Sequence, residues 1–292
     1  MSSPTSTPRP DVIGFYHDKT GSIAYLVIDP ESRRAAIIDP VLDYDEKAGR
    51  TATTAADAML ADIERRKLTI DWILDTHPHA DHFSAAAYLK DRLGAPTAIG
   101  ARIVDVQKLW RDIYNDPNLP TDGKQWDRLF ADGDTFSIGA IPVRVMHSPG
   151  HTLASITYVA GDAAFVHDTL FQPDTGSARA DFPGGDAGTL YDSIMAILAL
   201  PDATRIFTGH DYKEGGRPPA WETTVAEQKR SNKHFRNNPS REDYARIRNA
   251  RDKTLPMPVL ILSALQVNLR GGRLPPPESN GRSYLKIPLN TF

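Results

Sequence analysis

The segment Asp75–His82 concentrates side chains that bind metal ions. Its sequence, Asp-Thr-His-Pro-His-Ala-Asp-His, places three imidazoles and a carboxylate within the six residues from His77 to His82. Imidazole and carboxylate without thiolate favour zinc, iron or manganese over calcium, whose sites are built from oxygen. A lone His-x-His pair often arises by chance, but the full His-x-His-x-Asp-His pattern predicts a metal site. We call His77, His79, Asp81 and His82 the histidine cluster.

Three further candidate ligands are expected downstream, because four adjacent groups cannot enclose a cation alone. His151 follows the apolar run 141–146, Asp168 follows the run 163–166, and His210 lies near the end of the run that starts at Arg205. A strand-end histidine alone could simply hydrogen-bond a backbone carbonyl, and a strand-end aspartate could cap a turn. Taken with the histidine cluster, the three residues predict a seven-residue ligand set.

These motifs resemble the metallo-β-lactamase superfamily and, within it, the persulfide dioxygenases, also called sulfur dioxygenases. The resemblance is carried by the motifs Thr76–His82, Pro149–Thr152, Asp168–Phe171 and Gly209–Tyr212. The segment 173–184, which contains Arg179, and the runs 223–228 and 266–270 resemble the bacterial glutathione-dependent members. The similarity extends over nearly the whole chain from about Val12.

This resemblance implies an α/β fold, the αβ/βα sandwich of two mixed sheets flanked by helices, with a C-terminal extension. It also implies one iron(II) per chain, held by His77, His151 and Asp168. Two histidines and one carboxylate leave three open positions on iron, enough for dioxygen and a substrate sulfur. The remaining residues of the set would orient the ligands and donate hydrogen bonds near the metal. They are His79, Asp81, His82 and His210.

The implied reaction is oxidation of glutathione persulfide by dioxygen and water to sulfite and glutathione. Glutathione carries two carboxylates, so its pocket should present cationic side chains that bind them through charge-assisted hydrogen bonds. Arg179 and Arg217 are the candidates, with Tyr212 close to the second. Either arginine could instead form a structural salt bridge, for example Arg179 with Asp181.

Two other functions fit the same ligand set. A glyoxalase II-like thioesterase, or hydroxyacylglutathione hydrolase, would use all seven residues to hold two metals and a bridging hydroxide that attacks an acyl carbon. The ligand residues alone do not separate this hydrolase from the dioxygenase. A metal-dependent binding protein without turnover is the third possibility.

Composition is typical of a single catalytic domain. The chain has 292 residues, 40% of them hydrophobic, and no cysteine, which excludes disulfides and thiolate ligands. We expect a disordered leader at 1–11 and one domain at 12–292, of which 213–292 is an extension packed on the sandwich. The net charge of −3 argues against nucleic acid or anionic membrane as a partner.

The expected location is the cytoplasm, because no apolar run approaches the ~20 residues of a membrane span and no apolar signal core follows the N-terminus. The family resemblance suggests a rhodanese or a sulfide:quinone oxidoreductase as a pathway partner. The sequence leaves open whether the chain forms a homo-oligomer.

The elements that position these residues follow from hydrophobic periodicity and capping signals. The patterns predict a hairpin at 22–29 and 34–39, a strand at 70–74, and three helices at 54–67, 83–90 and 187–200, the last capped by Asp186. The apolar stretch 255–262 predicts a core strand rather than the lining of a groove. His167 is predicted to face away from the metal, because neighbouring residues in a strand point to opposite faces.

Overall fold

Two six-stranded sheets form the centre of the fold. The computed structural model describes residues 9–291, so residues 1–8 of the predicted leader and Phe292 lie outside it. The first sheet contains, in order across it, β1 (Asp11–His17), β2 (Ser22–Ile28), β3 (Arg34–Ile38), β6 (Thr69–Leu74), β8 (Thr97–Gly100) and β9 (Arg128–Phe130). Its first three strands are antiparallel, and from β3 onward neighbouring strands are parallel.

The second sheet is mostly antiparallel and follows the chain order. It contains β10 (Thr135–Ile138), β11 (Ile141–His147), β12 (Ile156–Ala160), β13 (Ala163–Phe165), β14 (Arg205–Phe207) and β15 (Glu222–Thr224). Only the β13–β14 pair within this sheet is parallel. A small third sheet joins β4 (Val41–Asp45) to β5 (Arg50–Ala52) and β7 (Phe83–Ser84).

Helices cover the outer faces of both sheets. They are α1 (Thr54–Arg66), α2 (Ala86–Leu93), α3 (Ile103–Tyr114), α4 (Ala187–Leu198), α5 (Val225–Ser231), α6 (Arg241–Asp252) and α7 (Ile261–Asn268). Every residue of β2 is buried, and all but its first, Ser22, are apolar or aromatic, as expected for a strand covered on both faces. One apolar cluster lies between the sheets, and separate clusters lie between each sheet and its helices. The predicted αβ/βα sandwich is therefore confirmed.

Most of the predicted elements are confirmed. The hairpin is β2 paired with β3, the strand 70–74 is β6, and the helix predicted at 54–67 is α1. Asp186 caps α4, because its side chain accepts a hydrogen bond from the Thr189 backbone N–H at 2.7 Å. The first strand, β1, was not predicted, and it begins at Asp11, the last residue of the expected leader.

Two element predictions are wrong. The helix predicted from Phe83 begins only at Ala86, because Phe83 and Ser84 pair with β4 as the short strand β7. The stretch 255–262 forms no core strand, since its first part is irregular and α7 begins at Ile261. Two prolines in this stretch lack the N–H that a central strand must donate, which explains the outcome.

Residues after Lys213 bury side chains in the same apolar clusters as the sheets. Ala264 and Val267 pack with the helices outside the first sheet, and Val225 and Tyr244 pack with α4 outside the second. Within residues 9–291, no helix is both long enough and apolar enough to cross a membrane.

Candidate metal centre

The seven predicted ligands converge because each follows a strand at the same edge of the sandwich. The backbone joins the two sheets at this edge. The Ile156 N–H donates to the Thr76 carbonyl at 3.0 Å, and the Ile23 N–H donates to the Gly209 carbonyl at 2.8 Å. The loops that carry the ligands are thus hydrogen-bonded to strands of the facing sheet, which holds them rigidly.

His77, His151 and Asp168 form one group whose potential ligand atoms all lie within 4.8 Å of one another. All three residues are buried. His151 Nε2 lies 3.6 Å from Asp168 Oδ2. His77 Nε2 is buried and has no hydrogen-bond partner among the described residues. A buried nitrogen without a partner is costly, so this atom fits a site that binds a cation.

Hydrogen bonds orient both histidines with Nε2 toward this group. The Thr76 hydroxyl donates to Asp39 at 2.7 Å, so it can only accept from His77 Nδ1, which lies 3.0 Å away. His151 Nδ1 donates to the Arg179 carbonyl at 2.9 Å, since a carbonyl has no proton to give. Each ring therefore carries its proton on Nδ1 and presents the Nε2 lone pair, the form that binds a metal.

Electrostatics favours the neutral form of both rings. Burial lowers the pKa of His77 well below its ordinary value, and nearby histidines, His79 first, lower it further. Burial also lowers the pKa of His151, against the opposing effect of Asp168. Neutral imidazole with one carboxylate is a suitable donor set for a transition metal.

His210 differs from these ligands because both of its nitrogens lie against carboxylates. Nδ1 is 2.6 Å from Asp168 Oδ1, and Nε2 is 2.7 Å from Asp81 Oδ2. Burial would lower the pKa of His210, but the two carboxylates outweigh it and raise the pKa well above the ordinary value. The Ser22 hydroxyl also donates to Asp81, at 2.9 Å, and so extends the hydrogen-bonded series Asp168–His210–Asp81.

The other two histidines of the cluster are also buried. His79 Nε2 lies 3.0 Å from Asp39 Oδ1. Burial would lower its pKa, but Asp39 outweighs burial and raises the pKa to about 9. His82 Nδ1 donates to the Phe83 carbonyl at 3.0 Å, and burial, with His79, lowers its pKa to about 4.

His167 is packed and hydrogen-bonded, but it lies beside His77, so the prediction that it faces away from the metal group is wrong. Strand β13 ends at Phe165, and His167 has a left-handed backbone with φ of 43°, so strand alternation does not apply. Its Nε2 lies 3.0 Å from the Ser148 hydroxyl and 2.7 Å from the Thr169 hydroxyl. Its ring centre is 5.2 Å from that of His77, so it packs beside the ligand group.

A cavity of about 1010 Å³ opens onto the metal group. Asp81, His151 and Asp168 lie on its wall. Apolar side chains cover much of the remaining lining: Phe171, Phe182, Ile247, Met257, Val259 and Leu260. The segment 255–260, predicted as a buried strand, is thus part of a groove lining, and Val259 is 79% exposed.

The predicted substrate residues have different positions. Arg179 and Tyr212 line the cavity, whereas Arg217 is not among its lining residues. The Arg179 guanidinium donates to Asp181 at 2.7 and 2.8 Å and to the Pro256 carbonyl at 2.7 Å, so it holds the apolar wall.

Arg217 is held by two carboxylates outside the cavity. It donates to Asp174 at 2.6 Å and to the buried Asp211 at 2.7 Å. The structural salt bridge considered as an alternative therefore describes both Arg179 and Arg217. The cavity's cationic lining also includes Lys19, Lys233, Arg248 and Arg251.

Some residues that support the site were not found from the sequence. Asn268 of α7 donates to the carbonyls of His79 and His82 at 2.7 and 2.8 Å, and accepts from the Ser84 N–H at 2.8 Å. The run 266–270, which contains Asn268, contributed to the family resemblance, but the sequence did not predict that Asn268 contacts the histidine cluster. Asp39 could have been found, since it directly follows the apolar strand β3 as the other ligands follow theirs.

Comparison with known proteins agrees with this architecture. Residues 18–210 match the model of the metallo-β-lactamase superfamily. The crystal structure of ETHE1 from Myxococcus xanthus superposes with a TM-score of 0.72 at 30% identity, covering 90% of this chain and 100% of that one. The chain belongs to the metallo-β-lactamase superfamily, whose members are metal-dependent enzymes.

Three curated relatives carry different names. The beta-lactamase hydrolase-like protein of Xylella fastidiosa (strain Temecula1) is 65% identical over 98% of this chain, which spans 66% of that protein's length. Glyoxylase B2 of Dictyostelium discoideum is 47% identical over 91% of this chain and 92% of its own. The mitochondrial persulfide dioxygenase ETHE1 of Bos taurus is 30% identical over 90% of this chain and 89% of its own.

Proposed function

We propose that this chain is a mononuclear iron dioxygenase that oxidises glutathione persulfide. Glutathione persulfide, dioxygen and water give glutathione and sulfite, and the outer sulfur loses the four electrons that dioxygen gains. His77, His151 and Asp168 would hold the iron. Bound iron(II) supplies the electron exchange between the sulfur and dioxygen.

One observation carries the proposal. His77 and His151 both present an Nε2 lone pair beside Asp168, whereas both nitrogens of His210 are already hydrogen-bonded to carboxylates at 2.6 and 2.7 Å. This geometry supports His77, His151 and Asp168 as the ligands and His210 as a hydrogen-bonding link between Asp168 and Asp81. This contrast favours one metal with open positions over two metals sharing all seven residues.

The residues around the three ligands would position them and manage protons. His210 orients the Asp168 carboxylate, and Ser22 and His210 together orient Asp81 at the cavity wall. Asp81 therefore lies where it would accept a hydrogen bond from a bound substrate. His79 and His82 would support the same loop, because Asn268 binds their carbonyls.

Unpaired cations in the cavity would bind the glutathione carboxylates. Lys233 and Arg251 line the cavity, and neither forms an ion pair with another described residue. Lys19 lines it too, and its side chain donates to the Tyr44 carbonyl at 2.6 Å. Arg179 supports this pocket through Pro256, and Tyr212 contributes an exposed ring beside His210, their ring centres 5.7 Å apart.

A thioesterase of the glyoxalase II type is the second candidate. Asp81, Asp168 and His210 form another group of potential ligands within 4.8 Å, as do His79, Asp81 and His82. Two of the relatives described above carry hydrolase or glyoxylase names. Metal binding at the first of these groups would require His210 to leave its carboxylate partners.

Parallel assays of the purified protein decide between the two. We expect oxygen consumption and sulfite release with glutathione persulfide, about one iron per chain, and no hydrolysis of a glutathione thioester. Thioester hydrolysis by protein that contains two metals, without oxygen uptake, would replace the dioxygenase with the hydrolase. We further propose a cytoplasmic enzyme with residues 12–292 as one domain.

A further inference from the structure

His234 lies on the wall of the metal-site cavity, in the C-terminal part of the chain. The loop after α5 carries it, and its backbone N–H donates to Asn232 Oδ1 at 2.9 Å. Its ring lies against Gly176, whose φ is +98°. A Cβ at Gly176 would come within 2.5 Å of His234 Nδ1, so the ring needs a glycine at this position.

The hydrogen bonds to His234 define which nitrogen carries the proton. The Ser177 backbone N–H lies 3.1 Å from His234 Nδ1 and can only donate. Nδ1 must therefore be the acceptor, and the proton of the neutral ring is on Nε2. The Ser177 hydroxyl, 2.9 Å from Nδ1, then donates to it as well, and Tyr244, 2.8 Å from that hydroxyl, donates to Ser177.

Tyr244, Ser177 and His234 thus form a hydrogen-bonded series whose last residue lines the cavity. His234 Nε2 makes no hydrogen bond with any residue of the described range 9–291. Lys233 and Arg251 line the same cavity and supply positive charge. A donor and two cations on one wall suit a ligand with carboxylate and carbonyl oxygens.

We infer that His234 is a substrate-positioning residue, whose Nε2–H donates to a carbonyl or carboxylate oxygen of the glutathione part of the substrate. The inference rests on the proposed function for the identity of that ligand. Ser177 and Tyr244 act through His234, because they fix its tautomer. Iron binding does not depend on His234, which belongs to none of the ligand groups.

Two substitutions distinguish the proposed role of the His234 Nε2–H donor from the hydrogen bonds that His234 Nδ1 accepts from Ser177. In His234→Asn the side-chain oxygen can still accept from Ser177, but no group reaches the Nε2 position. In His234→Gln the amide N–H reaches close to that position. We expect His234→Asn to raise KM for glutathione persulfide roughly three- to tenfold with kcat and iron content unchanged, and His234→Gln to restore much of the loss.

Two further measurements do not depend on turnover. Nitrogen NMR of histidine-labelled protein, loaded with diamagnetic zinc, should show His234 protonated at Nε2. Calorimetry of the iron-loaded protein should show weaker glutathione binding for His234→Asn than for wild type. A proton on Nδ1, or wild-type KM and glutathione affinity in His234→Asn, would overturn the inference. Absence of oxygen uptake by wild type would instead overturn the proposed function, while the NMR result would still test the tautomer.

Discussion

The metal group and the cavity wall opposite it are built differently. The metal ligands follow strands of the two sheets, are buried, and have their rings oriented by short hydrogen bonds. The wall comes from α6 and from the loops after α5 and before α7, and it exposes Ile247 and Val259 to the cavity. A rigid, buried centre suits chemistry shared by a superfamily. A partly exposed wall formed by loops and one helix suits recognition of one substrate.

The largest expected effect comes from the three proposed ligands. His77→Ala, His151→Ala and Asp168→Ala should each reduce iron from about one per chain to nearly none and abolish oxygen uptake, because a three-ligand site cannot spare a ligand. Elemental analysis beside oxygen consumption checks this. Full iron content in any one variant would remove that residue from the ligand set.

Smaller losses of activity are expected when the hydrogen-bonded link formed by His210 between Asp168 and Asp81 is broken. Asp81→Ala and His210→Ala should retain most of the iron but lose roughly 10–100-fold in turnover, because groups that orient ligands typically contribute that much. Metal stoichiometry is the deciding measurement. A fall from two metals to one would support the dinuclear hydrolase.

Substitutions in the cavity wall should change the affinity for the substrate and leave the metal content unchanged. Lys233→Ala and Arg251→Ala should each raise KM for glutathione persulfide roughly tenfold, because a charge-assisted hydrogen bond contributes about 1.5–3 kcal/mol. Arg246→Ala on the same helix as Arg251, and Lys229→Ala near Lys233, are matched controls whose side chains pair with Asp243 and Asp202 outside this cavity. Equal KM changes in controls and test variants would show a general charge effect instead of direct binding.

The smallest effect is a pH dependence of stability at His234. Burial, with Arg248 and Lys233, lowers its pKa from 6.5 to about 4. Between these values the unfolded chain binds the proton and the folded chain does not, so stability rises with pH through this window and falls on acidification. Urea unfolding between pH 4.5 and 7 should therefore give a flatter profile for His234→Asn than for wild type. Parallel profiles would mean that His234 is not held neutral by the fold.

Local pattern was sufficient for the centre of the molecule. Seven candidate ligands were predicted from residue type and from the strands before them. The family resemblance selected His77, His151 and Asp168 among the seven, and these three do lie together. The same reasoning from local pattern predicted β2, β6 and α4, since each carries an uninterrupted periodicity or a cap. It missed β1, which is only partly buried at the sheet edge.

The cavity wall could not be predicted in the same way. The run 255–262 has the composition of a core strand, yet its prolines and its place before α7 leave it facing the cavity. The arginines named from the sequence proved to be paired, because Asp174, Asp181 and Asp211 lie beside them in the fold. Arg179 pairs with Asp181, two positions away, as the sequence allowed, but Arg217 pairs with Asp174, 43 residues away, which no local pattern contains.

The sequence by itself determined the kind of donor atoms, their order and the strands that deliver them, because these depend on residue type and short-range periodicity. Tertiary structure alone decided which nitrogens are free. Asp39 reaches His77 through Thr76, Asp81 and Asp168 hold His210 between them, and Ser177 directs the proton of His234 to Nε2. A histidine binds a metal, links two carboxylates or donates to a ligand according to the partners that folding brings to its two nitrogens. In this protein those partners lie up to 129 residues away along the chain.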